Sequence, residues 1–105
     1  MDDVWKTIGA LVARFDEHDR ECGVGREESL TLQVLKIGEE FGEAAQAVIG
    51  ARGTNPRKGN SHTWSDVEAE VADVIVTAMV ALARMRPDAP AFLAGHLREK
   101  SQRFL

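Results

Sequence analysis

The sequence predicts an all-α fold, a four-helix bundle, and three observations predict it. Apolar residues recur at three- and four-residue spacing over four stretches; no stretch alternates apolar and polar residues as a half-buried strand does; helix-stop and helix-start residues lie between the stretches. The chain is 105 residues long, which suits one domain over residues 1–105 with one modest core. Association of several copies is the expected supplement to a core of that size.

The first stretch runs from about Asp3 to Arg20, with Val4, Ile8, Leu11, Val12 and Phe15 on one face, and Cys22-Gly23-Val24-Gly25 ends it. The second begins near Glu27 and continues to Ile49, carrying Leu32, Leu35, Ile37, Phe41, Ala44, Ala45 and Val48. Gly50 is its expected stop, since glycine readily takes the left-handed cap. Ser65-Asp66-Val67-Glu68 fits a capping box with Ser65 at the cap and Glu68 reaching back, so the third helix starts there and runs to about Met85, before Pro87. Asp88 is the expected cap of the fourth, with Pro90 tolerated in the first turn and Phe92, Leu93, Leu97 and Phe104 as its apolar contacts.

The connection from Ala51 to Trp64 is far longer than the ~2–8 residues that usually join bundle helices. Two readings fit it: a functional loop, or a disordered surface connection.

Thirteen basic and 17 acidic side chains leave a formal charge of −4, which removes the long-range attraction of a basic domain for nucleic acid or an anionic membrane. Cys22 is the only cysteine, so neither a disulfide framework nor a thiolate metal site can be built from one chain. A lone thiol suits a reducing cytoplasm. The first residues, Met1-Asp2-Asp3-Val4-Trp5-Lys6, do not resemble a signal peptide. The longest apolar stretch, Val71 to Ala83, would span about 20 Å as a helix, short of the ~30 Å hydrocarbon layer. The expectation is a cytoplasmic protein with no membrane and no nucleic-acid partner.

The chemistry-bearing feature is a set of carboxylates on the second and third helices. Glu40 and Glu43 are spaced i, i+3, as are Glu70 and Asp73, so each pair projects from one helical face. Antiparallel packing of the two helices brings both pairs into one pocket. The competing reading for Glu40 and Glu43 is an ordinary solvated face. Asp73 shifts the balance: apart from Thr77, its neighbours from Val71 to Ala83 are apolar, so a carboxylate there is expected to be buried and to need a proton, a basic partner or a cation. Clustered oxygen ligands suit a hard divalent ion, magnesium first and manganese second. A di-iron bundle site draws histidines from Glu-x-x-His pairs, and neither pair here has one.

Magnesium held by carboxylates keeps positions for water and substrate phosphates, which points to a nucleotide. Lys36, Arg57, Lys58, Lys100 and Arg103 are the candidate phosphate-binding cations, each with an ordinary surface charge as the alternative. His62 and Trp64 could frame a base by hydrogen bonding and stacking; Trp64 equally fits a hydrophobic staple. Asn55-Pro56-Arg57-Lys58-Gly59 is not a phosphate loop of the P-loop type, because it follows no strand.

Glu39-Glu40-Phe41-Gly42-Glu43 followed by Glu70-Val71-Ala72-Asp73 resembles the paired EExxE and ExxD motifs of the MazG-like, all-α nucleoside triphosphate pyrophosphohydrolases. The resemblance implies cleavage between the α and β phosphates to a monophosphate and pyrophosphate, with magnesium held by Glu40, Glu43, Glu70 and Asp73. It implies that Glu39 holds or polarises the attacking water, and that the protein is a homodimer or homotetramer. House-cleaning of non-canonical nucleotides is the narrower version of the same activity. The competing function is a non-catalytic helical oligomerisation module with a structural divalent-cation site.

Overall fold

Helical periodicity becomes four helices in the computed structural model, which describes residues 2–105. They are α1 (Asp2–Glu21), α2 (Arg26–Arg52), α3 (Trp64–Met85) and α4 (Ala89–Gln102). Among the described residues there is no strand. α3 touches every other helix, and its longest interface is with α2. The two run antiparallel: Gln33 near the start of α2 bonds Arg84 near the end of α3, while Glu40 and Glu43 further along α2 approach Glu70 near the α3 start.

Small residues make the α2–α3 seam close. Ala44, Ala47 and Gly50 on α2 and Val67 on α3 are all buried. The apolar core proper sits between α1 and α3, where Ile8, Met79 and Val80 pack with Trp5, Leu11, Val12 and Ala83 around them. α4 leans on the far end of α3, where the Arg86 guanidinium lies 4.0 Å over the Phe92 ring and pairs with both oxygens of Asp88.

Two boundaries and the chemistry of one cap differ from the sequence expectation. α2 passes through Gly50 and ends at Gly53, whose φ of 65° is the left-handed cap. Gly50 serves close approach: a Cβ there would meet Ser61 Oγ at 2.5 Å and the His62 ring. The α3 capping box is Thr63 with Asp66 rather than Ser65 with Glu68. Thr63 Oγ1 accepts from the Asp66 amide at 3.2 Å, and the Thr63 amide donates to Asp66 Oδ2 at 2.9 Å. Trp64 is therefore the first residue of α3 and more than half exposed, so it is not a staple. Asp88 occupies the α4 cap position without a side-chain cap bond, its carboxylate being engaged by Arg86.

The long connection is a folded loop. Asn55 Oδ1 accepts from the Arg57 and Lys58 amides, the Gly59 amide donates to the Asn55 carbonyl at 2.8 Å, and Asn60 Nδ2 donates to the Ala51 carbonyl at 3.1 Å. These bonds satisfy the loop backbone locally and hold it against the last turns of α2.

One chain leaves much apolar surface open. Its radius of gyration is 16.7 Å, against about 13 Å for a compact domain of this length. Its accessible surface is 7740 Å², against roughly 5,800 Å² for a compact monomer of this mass. Leu35 and Phe41 on α2 are each 65 % exposed, and Val71, Ile75 and Val76 on α3 and Leu97 on α4 are also exposed. Asp73 shares that fate. It is exposed, correcting the expectation of a buried carboxylate, because α3 buries only the stripes that face α1 and α2. No helix among the described residues is long and apolar enough to cross a membrane.

Candidate metal centre and its surroundings

Glu40, Glu43 and Glu70 each present a carboxylate oxygen, and the three lie within 4.8 Å of one another. Helix periodicity places them there. On α2 the buried residues Gln33, Ala44 and Ala47 define the face toward α3, and Glu40 and Glu43 project from that arc. On α3, Glu70 lies in line with Thr77 and Arg84, both buried at seven-residue intervals.

The electrostatics of the cluster are unfavourable without a cation. Glu40 is held above the ordinary glutamate pKa, first by removal from water, then by the charges of Glu43 and Asp73 and a hydrogen bond with Glu43; Lys36 pulls the other way. Glu70 Oε2 is enclosed and has no hydrogen-bond partner. An enclosed, unsatisfied carboxylate oxygen beside two more carboxylates calls for a proton or a cation. The donor set, all oxygen from carboxylates, fits a hard divalent ion.

Two of the expected acids lie outside the triad. Asp73 is exposed but near enough for its charge to act on Glu40. Glu39 is exposed on α2, because one residue of helix turns it about 100° away from Glu40.

The expected substrate-binding residues divide into three places. Lys36 is one turn from Glu40 and lines a groove between α1, α2 and α3. Lys58 and His62 line a cleft of about 300 Å³ with Gln46, Ile49 and Gly50, beyond Glu43 on α2. Arg57 and Trp64 are exposed and outside that cleft. Lys100 in α4 and Arg103 at its end belong to the element leaning on the far end of α3. Among the described residues no hydrogen bond or ion pair joins either cation to the acids.

Sequence reasoning passed over the best-connected polar group, Arg84. It is buried at the end of α3, donating to Asp16 at 3.0 Å, Asp19 at 2.5 Å and Gln33 at 2.9 Å. Ser29 Oγ donates to the same Asp19 oxygen at 2.7 Å, and this bond followed by Arg84 holds Asp19 below the usual carboxylate range. The one local signal is its position directly after the apolar run of α3, where a buried arginine needs partners.

Compared with protein-family models, with curated proteins and with solved structures, the chain has no match.

Proposed function

We propose that the protein is a magnesium-dependent nucleoside triphosphate pyrophosphohydrolase of the MazG-like kind, cleaving between the α and β phosphates. The observation that carries the proposal is the meeting of Glu40, Glu43 and Glu70 from two antiparallel helices around the enclosed, unpartnered Glu70 Oε2. These three would hold the ion, with Asp73 beside them; manganese satisfies the same donor set. Bound there, the ion would supply Lewis-acid polarisation of the phosphate chain and a water of lowered pKa.

The chain's own residues account for the rest. Lys36, one turn from Glu40, offsets negative charge on a phosphate held at the acids. Lys58 and His62 line the cleft beyond Glu43 and in this reading receive the far end of a polyphosphate. Glu39, exposed on the same turn of α2 but turned about 100° from Glu40, is the residue the resemblance assigns to the attacking water.

A homodimer or homotetramer completes the fold in this reading. The excess of accessible surface, about 1,900 Å² per chain over a compact monomer, matches what an extensive obligate interface covers. The same surface favours the second reading, an oligomerisation module whose acids bind a structural cation. Incubation with magnesium and a panel of ribo- and deoxyribonucleoside triphosphates, with products identified by phosphorus NMR, separates the two. Monophosphate and pyrophosphate are expected; no turnover of any nucleotide would leave the oligomerisation module.

A further inference from the structure

The groove that Lys36 lines lies on the other side of the acids from the loop cleft. Leu11 and Phe15 from α1 and Val76 and Val80 from α3 make it apolar, and its volume is about 310 Å³. That is the low end of the size range of small-molecule sites. Its polar members are His18, Asp19, Gln33, Lys36, Thr77 and Arg84, of which Gln33, Thr77 and Arg84 are buried; Asp19 and Arg84 are already engaged with each other.

Gln33 is fixed in one sense. Arg84 offers only donors, so the Gln33 atom facing Nη1 at 2.9 Å must be the carbonyl Oε1. Arg84 is itself held by Asp16 and Asp19, which prevents the amide from turning over. What Gln33 presents to the groove is therefore the amide NH₂, a donor. Gln33 precedes Glu40 by seven residues on the same face of α2, an axial distance of about 10 Å. Lys36 stands between them. That interval leaves room for one sugar between a base in the groove and phosphates at the acids.

We infer that the α1–α2–α3 groove is the base site, and that it selects nucleotides whose base presents a carbonyl at its outer edge over those presenting an amine there. Gln33 is the specificity-determining residue and Arg84 its positioning residue. A carbonyl accepts from the Gln33 amide, whereas an exocyclic amine places donor against donor there. The inference rests on the nucleotide reading above and moves the base away from His62 and Trp64, leaving the loop cleft to the phosphate end.

Two ligand pairs test the carbonyl: IMP with AMP, and UMP with CMP, each pair exchanging a carbonyl beside a ring N–H for an amine beside a bare ring nitrogen. Calorimetric titration of the full chain with each, in magnesium, should show the carbonyl member binding at least about tenfold tighter in one pair or both. Gln33→Glu keeps a partner for Arg84 while removing the donor, and should reduce that ratio to below about threefold; Gln33→Leu should do the same if it folds. Equal affinities within both pairs, as expected if a second copy of the chain fills the groove, would overturn the inference. So would a ratio unchanged in Gln33→Glu. Pyrophosphate release assayed alongside keeps the two readings apart. Release without carbonyl preference removes the base site alone, and carbonyl preference without release removes the hydrolase reading alone.

Discussion

Arg84 and Gln33 are 51 residues apart in sequence and 2.9 Å apart across the α2–α3 interface, with the guanidinium Nη1 donating to the amide Oε1. The same side chain reaches α1 through Asp16 and Asp19, and Arg26 Nη2 donates to the Arg84 carbonyl at 3.2 Å. One buried arginine thus ties three helices together, in a chain whose apolar core is small.

Removing it should be costly. Arg84→Ala leaves Asp19 facing Ser29 alone and Gln33 Oε1 without a donor, and should destabilise the fold by about 2–4 kcal/mol. Urea unfolding measures this as a lower midpoint. Because Asp16 and Asp19 keep contact with water, the effect belongs below the upper end known for fully enclosed pairs. A loss under about 0.5 kcal/mol would mean the network contributes no more than a surface pair.

Stability should depend on pH through two groups of opposite sign. Glu40 has its folded pKa raised above the ordinary 4.5, so between the two values the folded state holds the extra proton, and stability declines as pH rises through the folded value. Asp19 is lowered from 3.8, so its contribution is present above that value and lost as pH falls through its folded pKa. Melting curves in EDTA should therefore rise as pH falls from neutrality toward Glu40's ordinary range, and Glu40→Gln should flatten that arm. A wild-type profile already flat there would show the three acids to be apart in solution.

Magnesium should reverse the penalty at the acids. An ion that binds only the folded state raises stability by about 2.7 kcal/mol at a hundredfold excess over its Kd, so the melting temperature near neutral pH should climb with magnesium and return with EDTA. Glu70→Gln should lose most of that response, because its Oε2 is the enclosed member of the site. Equal responses from wild type and Glu70→Gln would place the ion elsewhere.

Association should follow from the open apolar faces of α2 and α3. Sedimentation should report a dimer or tetramer, and Leu35→Lys with Phe41→Lys should shift it toward monomer, since a charge at each of these 65 % exposed positions would be desolvated in an interface. A monomeric wild type would contradict the obligate assembly.

The elements and the acids were legible in the sequence for local reasons. Periodicity located all four helices, and i, i+3 spacing put Glu40 with Glu43 on one face. What one helix cannot report is which of its faces a neighbour covers. Asp73 sits in an apolar run yet is exposed, because the surface around it is left open by a single chain. The α3 start shifted from Ser65 to Thr63 because Thr63 with Asp66 offers the same reciprocal bonds two residues earlier. Arg84 and Gln33 went unread because their partners come from three helices, a relation that no local spacing carries.

The most direct measurement is the rate of pyrophosphate release from nucleoside triphosphates in magnesium by wild type, Glu40→Gln and Glu70→Gln, with all three confirmed folded. Magnesium-dependent release by wild type and a loss of about a hundredfold or more in each variant is the predicted result, consistent with several kcal/mol of charge stabilisation held at the site. Turnover in either variant equal to wild type, or orthophosphate as the product in place of pyrophosphate, would contradict it.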